Sequence, residues 1–255
     1  MSHVVTGGGR GVGRAVVERL LAAGGTVVVI ERDPVAVDWV PAHPAGGRIV
    51  AVLGDAADEQ VAAAAADRAE RAAPLAGWVN NAAVFRDASV HTAPAAEVFA
   101  LIEANLRPVV TGAATAVRRF LAAGTGGAIV NVSSHQAVRP VPGALPYATA
   151  KAAVEGLTRA LAVEYGSRGI RVNAVALGSV HTERHAAFLA GQDPAEAERI
   201  SGELARLHPL GRIAGADEVA AAVAYLLSTE ASFVNGVTLP VDGGRAVLGL
   251  DPEAR

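Results

Sequence analysis

The chain has no cysteine among its 255 residues. That removes disulfides, thiol nucleophiles and cysteine-ligated zinc, and is compatible with either redox compartment. Lysine is almost missing as well, since Lys151 is the single lysine among 22 basic residues and every other one is arginine. Charge of either sign is scarce in net terms. A formal charge of −3 and a pI near 6.2, without any basic run, argue against nucleic acid or an anionic membrane surface as partner. No apolar run approaches the roughly 20 residues of a membrane span. The opening Met1-Ser2-His3-Val4-Val5-Thr6-Gly7 enters a glycine motif at once, so no signal peptide is expected and a cytoplasmic location is. There is no internal repeat and no low-complexity break. With 51% hydrophobic residues, one domain over residues 1–255 with a large core is the simplest organisation.

What the chain does contain is an alternation of short aliphatic runs with longer alanine-rich segments, the pattern of βαβ units around a parallel sheet. Strands are expected at Ser2–Val5, Thr26–Ile30, Arg48–Leu53, Gly77–Val79, Ala128–Val132, Arg171–Val175 and Val237–Pro240. Helices are expected near Gly11–Ala23, Asp58–Ala72, Pro94–Ala123, Tyr147–Tyr165, Asp193–Leu207 and Asp217–Ser228. The fold class is therefore α/β: a Rossmann-type, doubly wound parallel sheet of about seven strands with helices on both faces. The alanine run Ala62 to Ala66 reads as a strong helix former. Three prolines and a glycine between Arg139 and Pro146 predict an irregular loop. A substrate-loop insert is expected at about 177–208. In open α/β sheets ligands bind beyond the carboxyl ends of the strands, so both segments are candidate substrate walls.

The first strand runs directly into Thr6-Gly7-Gly8-Gly9-Arg10-Gly11-Val12-Gly13 and then a helix. Glycines let the backbone come close to a ligand, and the helix start offers free N–H groups and a positive dipole end to a pyrophosphate. The spacing is not G-x-G-x-x-G, because that register fails at Val12 or at Arg14. A nucleoside triphosphate site is disfavoured because Arg14-Ala15 stand where Lys-Ser/Thr would follow. The turn fits T-G-x-x-x-G-x-G.

Lys151 stands four residues after Tyr147. On a helix that spacing brings the two side chains to one face, with Cβ atoms about 5–6 Å apart. A compact ammonium beside a phenol favours phenolate and fits the tyrosine for acid–base work.

Together, Thr6-Gly7 to Gly13, Asp55, Asn80-Asn81-Ala82-Ala83, Asn105, Ser134, Tyr147-x-x-x-Lys151 and Val241-Asp242-Gly243-Gly244 resemble the short-chain dehydrogenase/reductase family over nearly the whole chain. The resemblance implies hydride transfer between a nicotinamide and a secondary alcohol or ketone. It implies Tyr147 as proton donor and acceptor, and Ser134 as the group that polarises the substrate oxygen, with Ser133 as fallback. Lys151 is then expected to lower the Tyr147 pKa and hold ribose hydroxyls, and Asn105 to anchor a relay water. Cofactor contacts are expected from Gly7, Gly9, Arg10, Gly11, Val12, Glu31, Arg32, Asp55, Ala56, Asn81, Ala82, Ala83, Tyr147, Lys151, Gly178, Val180 and Thr182. Asn80 either supports the sheet or lies beside the adenine ribose.

Glu31 ends the second strand where an acid can accept from both adenosine ribose hydroxyls and repel a 2′-phosphate, which favours NAD. Arg10 and Arg32 argue for NADP, which stays open. The family's usual Pro-Gly after the sixth strand is here Leu177-Gly178, which puts the rigidity of the following loop in question. His135, Gln136 and Val141, with His181 and His185 nearby, are expected around the substrate with Ser134; these histidines are not read as a metal site. Beside the alcohol dehydrogenase or ketoreductase reading stand a 3-oxoacyl-thioester reductase and, from another class, a dinucleotide-binding regulator without turnover. The resemblance also implies a homotetramer.

Overall fold

The computed structural model describes residues 1–249, so the last six residues of the expected single domain lie outside the described residues. Among the described residues nine strands and seven α-helices follow one another. They are β1 Ser2–Thr6, α1 Gly11–Ala22, β2 Thr26–Glu31, β3 Ile49–Leu53, α2 Glu59–Ala72, β4 Leu75–Asn80, α3 Ala95–Ala123 and β5 Gly127–Ser134. Then come α4 Leu145–Tyr165, β6 Ile170–Leu177, β7 Val180–His181, α5 Glu183–Ala190, α6 Pro194–Arg206, β8 Ala214–Gly215, α7 Ala216–Leu227 and β9 Thr238–Val241. Seven of the strands form one parallel sheet in the order β3-β2-β1-β4-β5-β6-β9.

Both faces of that sheet are covered, which is why its strands read as continuous aliphatic runs. Successive side chains point to opposite faces. Val4, Val28 and Ile129 meet α2, α3 and α4, whereas Val5, Val29 and Val130 meet α1 and α7. The alanine run earns its place by size: Ala62, Ala65, Ala66 and Ala69 are fully buried, so α2 lies close against the strands. Across the first of these faces runs a buried hydrogen-bonded chain. The Trp78 indole donates to Asn80 Oδ1 at 3.0 Å, Asn80 Nδ2 to Asn131 Oδ1 at 2.8 Å, and Asn131 Nδ2 to Thr158 Oγ1 at 2.9 Å. Asn80 is thus a sheet-bracing residue and does not face the ribose. A Cβ on Gly112 of α3 would stand 2.1 Å from Asn80 Oδ1, so the helix rests directly on this pair.

All seven expected strands are present, and the differences lie at helix starts and in the insert. Helix α4 begins two residues before Tyr147, with Pro146 in its first turn, where a missing N–H costs nothing because that group has no helical partner. The insert contains the unpredicted helix α5, started by Thr182 Oγ1 accepting from the His185 N–H at 3.3 Å. Its strand β7 pairs with β8, just beyond the insert, in a two-stranded ladder. Neither α5 nor α6 has a buried residue, so no amphipathic stripe had to announce α5 in the sequence.

The chain winds from β1 outward to β2 and β3, then crosses to β4 on the other side of β1. The carboxyl ends of β1 and β4 therefore flank the crevice where strand order reverses, the place such sheets bind ligands.

Candidate active site

At the crevice the two strand ends are tied together by Thr6 and Asn81. Thr6 Oγ1 accepts from the Asn81 and Ala82 N–H groups at 2.9 and 3.0 Å, and Asn81 Nδ2 donates to the Thr6 and Gly7 carbonyls at 3.1 and 2.9 Å. Thr6 was part of the motif with no role assigned, and this clamp supplies one. The turn is tight enough that a Cβ on Gly13 would lie 2.0 Å from the Gly7 carbonyl oxygen, which only glycine escapes. Gly11 sits at φ +55° and opens α1, and Val12 follows it to lean on the core beneath.

The amide of Gly11 already holds an anion: it donates to Glu183 Oε2 at 2.9 Å, although helix α1 has no acidic residue in its own first turn. Thr182 Cγ2 is 3.4 Å from the Cβ position of Gly11, so β7 and the start of α5 close over the glycine turn. A carboxylate drawn from 172 residues away to this N–H is what a site suited to phosphate oxygens would do.

At the end of β2, the Glu31 carboxylate is held by three backbone donors, Arg32 N at 2.9 Å, Asp33 N at 3.2 Å and Gly9 N at 3.3 Å. Gly9 leaves no room for a side chain, since its Cβ would meet Ala36 Cβ at 2.7 Å. Arg10, read from the sequence as a partner for a 2′-phosphate, is ion-paired with Asp33, while Arg32 is exposed. The Trp39 indole donates to the Gly9 and Ala36 carbonyls at 3.0 and 2.9 Å, with Arg14 stacked 4.4 Å over its ring. Nothing in the sequence pattern marked Trp39, beyond its being one of two tryptophans. Asp55 turns one carboxylate oxygen onto the Ala57 N–H at 2.9 Å, beside buried Ala56.

The second half of the site is built from β5 and α4. Ser134, the last residue of β5, lies beside Tyr147 and accepts from the Gln136 N–H at 3.2 Å. Ser133 points to the opposite face, donating to Glu155 Oε1 at 2.9 Å, because adjacent strand residues alternate. Lys151 is 1% exposed and donates to the Val132 carbonyl at 2.7 Å, with Nζ 5.3 Å from the centre of the Tyr147 ring. An ammonium has three donors, so two remain for a ribose diol. Burial pulls Lys151 down to about 8.

Burial also pushes Tyr147 up to about 12, against the pull of the Ser134 hydrogen bond and the Arg184 charge. The phenol is desolvated, and the ammonium is turned to Val132 instead of to the hydroxyl. Asn105 is buried in α3, its Nδ2 donating to the Leu101 carbonyl at 3.1 Å and its Oδ1 accepting from the Val84 N–H at 3.0 Å, so it fixes the strand-end segment next to the site.

The substrate side departs further from expectation. His135 is buried rather than on a rim, its Nδ1 3.0 Å from the Leu177 carbonyl. A carbonyl only accepts, so Nδ1 carries the hydrogen. Its Nε2 and the Gln136 Oε1 are buried without a hydrogen-bond partner. Val141 is exposed, and the His185 ring packs edge-on to His181 at 6.0 Å. Two further residues lie on this side of Tyr147. Phe85 lies ring to ring with it at 5.0 Å, and Arg184 sits 3.7 Å over the Phe85 ring.

The segment after Leu177 is secured although its proline is missing. The Gly178 N–H donates to the Val241 carbonyl at 3.0 Å, the Ser179 N–H to His208 Nε2 at 3.2 Å, and Arg245 to Ser179 Oγ at 2.8 Å. A Cβ on Gly178 would stand 2.8 Å from Asp242 Cα, which explains why glycine persists there. Val180 lies in β7 and Thr182 caps α5.

A glycine turn open to phosphate at the switch point, an acid at the end of β2, and a Ser-Tyr-Lys group across the crevice define a nicotinamide-dependent oxidoreductase. The sequence model described as Enoyl-(Acyl carrier protein) reductase matches residues 7–246. Levodione reductase of Leifsonia aquatica is 34% identical over 95% of this chain and 93% of its own. Cis-4-hydroxycyclohexanecarboxylate dehydrogenase of Sinomonas cyclohexanicum is 41% identical over 94% of each. A crystal structure of levodione reductase superposes with a TM-score of 0.87 at 32% identity, over 97% of this chain and 98% of that one. The chain belongs to the short-chain dehydrogenase/reductase family and is an NAD(P)-dependent oxidoreductase of alcohols and ketones.

Proposed function

We propose that this enzyme interconverts a secondary alcohol and a ketone on a small, mainly cyclic molecule, with Tyr147 as the acid and base. The observation that carries the reading is the grouping of Ser134, Tyr147 and Lys151 beside the glycine turn. Bound nicotinamide supplies or accepts the hydride. Ser134 holds the substrate oxygen by a hydrogen bond that strengthens as negative charge develops on it. Tyr147 gives its proton to that oxygen during reduction and takes it back during oxidation. Lys151, already desolvated, favours the phenolate once its remaining donors are engaged by the ribose, and Asn105 keeps the neighbouring segment in register. The cofactor would rest on Gly7, Gly9, Gly11 and Val12, with the adenine edge near Asp55 and Ala56, the ribose near Asn81, Ala82 and Ala83, and the carboxamide near Gly178, Val180 and Thr182. A cyclic alcohol figures in the name of one relative, cis-4-hydroxycyclohexanecarboxylate dehydrogenase, which supports a ring substrate over a carrier-bound thioester.

NAD is the preferred cofactor in this reading. Glu31 is pre-positioned by three N–H groups, and Asp33 adds a second carboxylate that occupies Arg10. Arg32 is left as the only side chain there that could favour NADP. The unit of function is one Rossmann-type domain, assembled as a homotetramer in the cytoplasm. Val163 of α4 and Phe233 before β9 are exposed apolar side chains that such an assembly would cover.

The test is nicotinamide absorbance with a panel of cyclic ketones, secondary alcohols and sugars, run with NAD(H) and NADP(H), and with Tyr147→Phe beside the wild type. Turnover that falls by at least about a thousandfold in the variant, with cofactor binding retained, is the expected result. Turnover that survives Tyr147→Phe within tenfold would remove Tyr147 from the chemistry.

A further inference from the structure

Tyr147 is approached from its open side by Phe85 and Arg184. Phe85 comes from the segment after β4 and is 53% exposed, although its ring lies 5.0 Å from that of Tyr147. Arg184 comes from the first turn of α5 and covers the Phe85 ring at 3.7 Å, which puts the guanidinium within about 9 Å of the Tyr147 ring. Among the described residues Arg184 has no carboxylate partner. The acid next to it in sequence, Glu183, is turned away onto the Gly11 N–H. Asp87, the one acidic residue of segment 81–94, faces Gly143 in the loop before α4.

Phe188 stands one helical turn after Arg184, on the same face of α5, and is also 53% exposed. A guanidinium without a carboxylate partner, stacked on a phenyl ring beside Tyr147, is arranged to receive a molecule with an apolar body and an anionic end. A planar fork of donors matches a carboxylate or sulfonate in a way a hydroxyl or amide cannot repay.

We propose that the substrate carries a carboxylate or sulfonate on a small ring or short chain, roughly four to six bonds from the reacting carbon, and that Arg184 selects it. The inference rests on the reading of Ser134 and Tyr147 as the reacting pair. Phe85 then lies along the ring of the substrate while Arg184 swings from the Phe85 face to the anion. The charge also acts on Tyr147 itself, which it pulls toward ionisation.

The experiment compares 4-oxocyclohexanecarboxylate with its uncharged carboxamide, in wild type, Arg184→Gln and Arg184→Lys, with NADH as reductant. Wild type is expected to prefer the carboxylate at least tenfold in kcat/KM. Arg184→Gln should lower the carboxylate-to-carboxamide ratio by about 10- to 100-fold, mainly through KM, and Arg184→Lys should keep part of it. Added salt should shrink the ratio in wild type and leave it flat in Arg184→Gln. Because Arg184 is exposed, its variants should melt with the wild type, and quenching of bound NADH fluorescence by cyclohexanecarboxylate reads the anion site without turnover. A wild type indifferent to charge, or a ratio unchanged in Arg184→Gln, overturns the inference while leaving the oxidoreductase reading intact. A wild type that reduces neither member of this pair nor any other ketone or alcohol overturns both.

Discussion

Replacing Glu31 tests the cofactor assignment most directly. Its carboxylate lies 3.3 Å from the Gly9 nitrogen, directly beside the glycine turn proposed to hold the cofactor. A 2′-phosphate placed where the carboxylate meets the ribose diol would have charged oxygens about 5 Å away. At an effective dielectric of about 20, two unit charges at that distance repel by about 3 kcal/mol, and salt at physiological strength trims this to about 2. Loss of the hydrogen bonds from the diol costs NAD a further 1.5–3 kcal/mol or so. Glu31→Ala should therefore shift the ratio of kcat/KM for NAD+ over NADP+ by about 100-fold or more toward NADP+.

Glu31→Gln separates the two contributions, because it keeps an acceptor for the diol while removing the charge. It should retain most NAD+ activity and gain NADP+ activity. Initial rates with each nucleotide at saturating substrate give the ratio, and thermal melts control for stability. The three N–H groups that lose their acceptor lie near the surface, where water can replace it. A ratio that moves less than threefold in both variants would refute the electrostatic argument and place the ribose elsewhere.

Asn131→Ala should cost about 2–4 kcal/mol, since it breaks two buried hydrogen bonds and strands Asn80 Nδ2, while Thr158 Oγ1 keeps its bond to the Val154 carbonyl. Denaturant unfolding of the single variants and of Asn131→Ala with Thr158→Val measures the coupling, and a loss below 1 kcal/mol would show that water fills the gap. In the cofactor-free protein, phenolate absorbance should reveal a tyrosine that resists ionisation until about pH 12 and disappears in Tyr147→Phe. A missing component that titrates below 10 would contradict the burial argument. His3 is held down to about 4 from 6.5, mainly by burial, so the folded state takes up fewer protons than the unfolded one between those values. Its contribution is complete above about pH 6.5 and is lost as pH falls toward 4, at a cost of up to about 3 kcal/mol. His3→Gln should flatten the acid side of the stability profile, and an unchanged slope would assign it to carboxylates.

Much of this enzyme could be read before any coordinates. Alternating aliphatic and alanine-rich segments determine a parallel sheet, because strands buried on both faces must be apolar throughout and their crossovers must be helices. Thr6 to Gly13 determines a phosphate-accepting turn by its glycines, and the i, i+4 spacing of Tyr147 and Lys151 determines a shared helical face. These are local facts, carried by neighbours in sequence. Helix α5 escaped because an exposed helix needs no apolar stripe, and the mini-ladder of β7 and β8 because two-residue strands carry no period.

What the tertiary structure alone decided are the long-range and one-sided choices. Strand alternation turned Ser134 toward Tyr147 and Ser133 toward Glu155, where the sequence had favoured Ser134 and kept Ser133 as fallback. Asn80 went to the core and Asn81 to the Thr6 clamp. Arg10 was claimed by Asp33, Gly11 by Glu183, and Tyr147 acquired Phe85 and Arg184 as neighbours. Sequence separation hides such pairs, because a charge or a ring seeks the partner that packing brings within a few ångströms, wherever that partner lies along the chain. Burial decided the titration of Tyr147 and Lys151 in the same way, since desolvation depends on everything that surrounds a group and not on the residue four positions away.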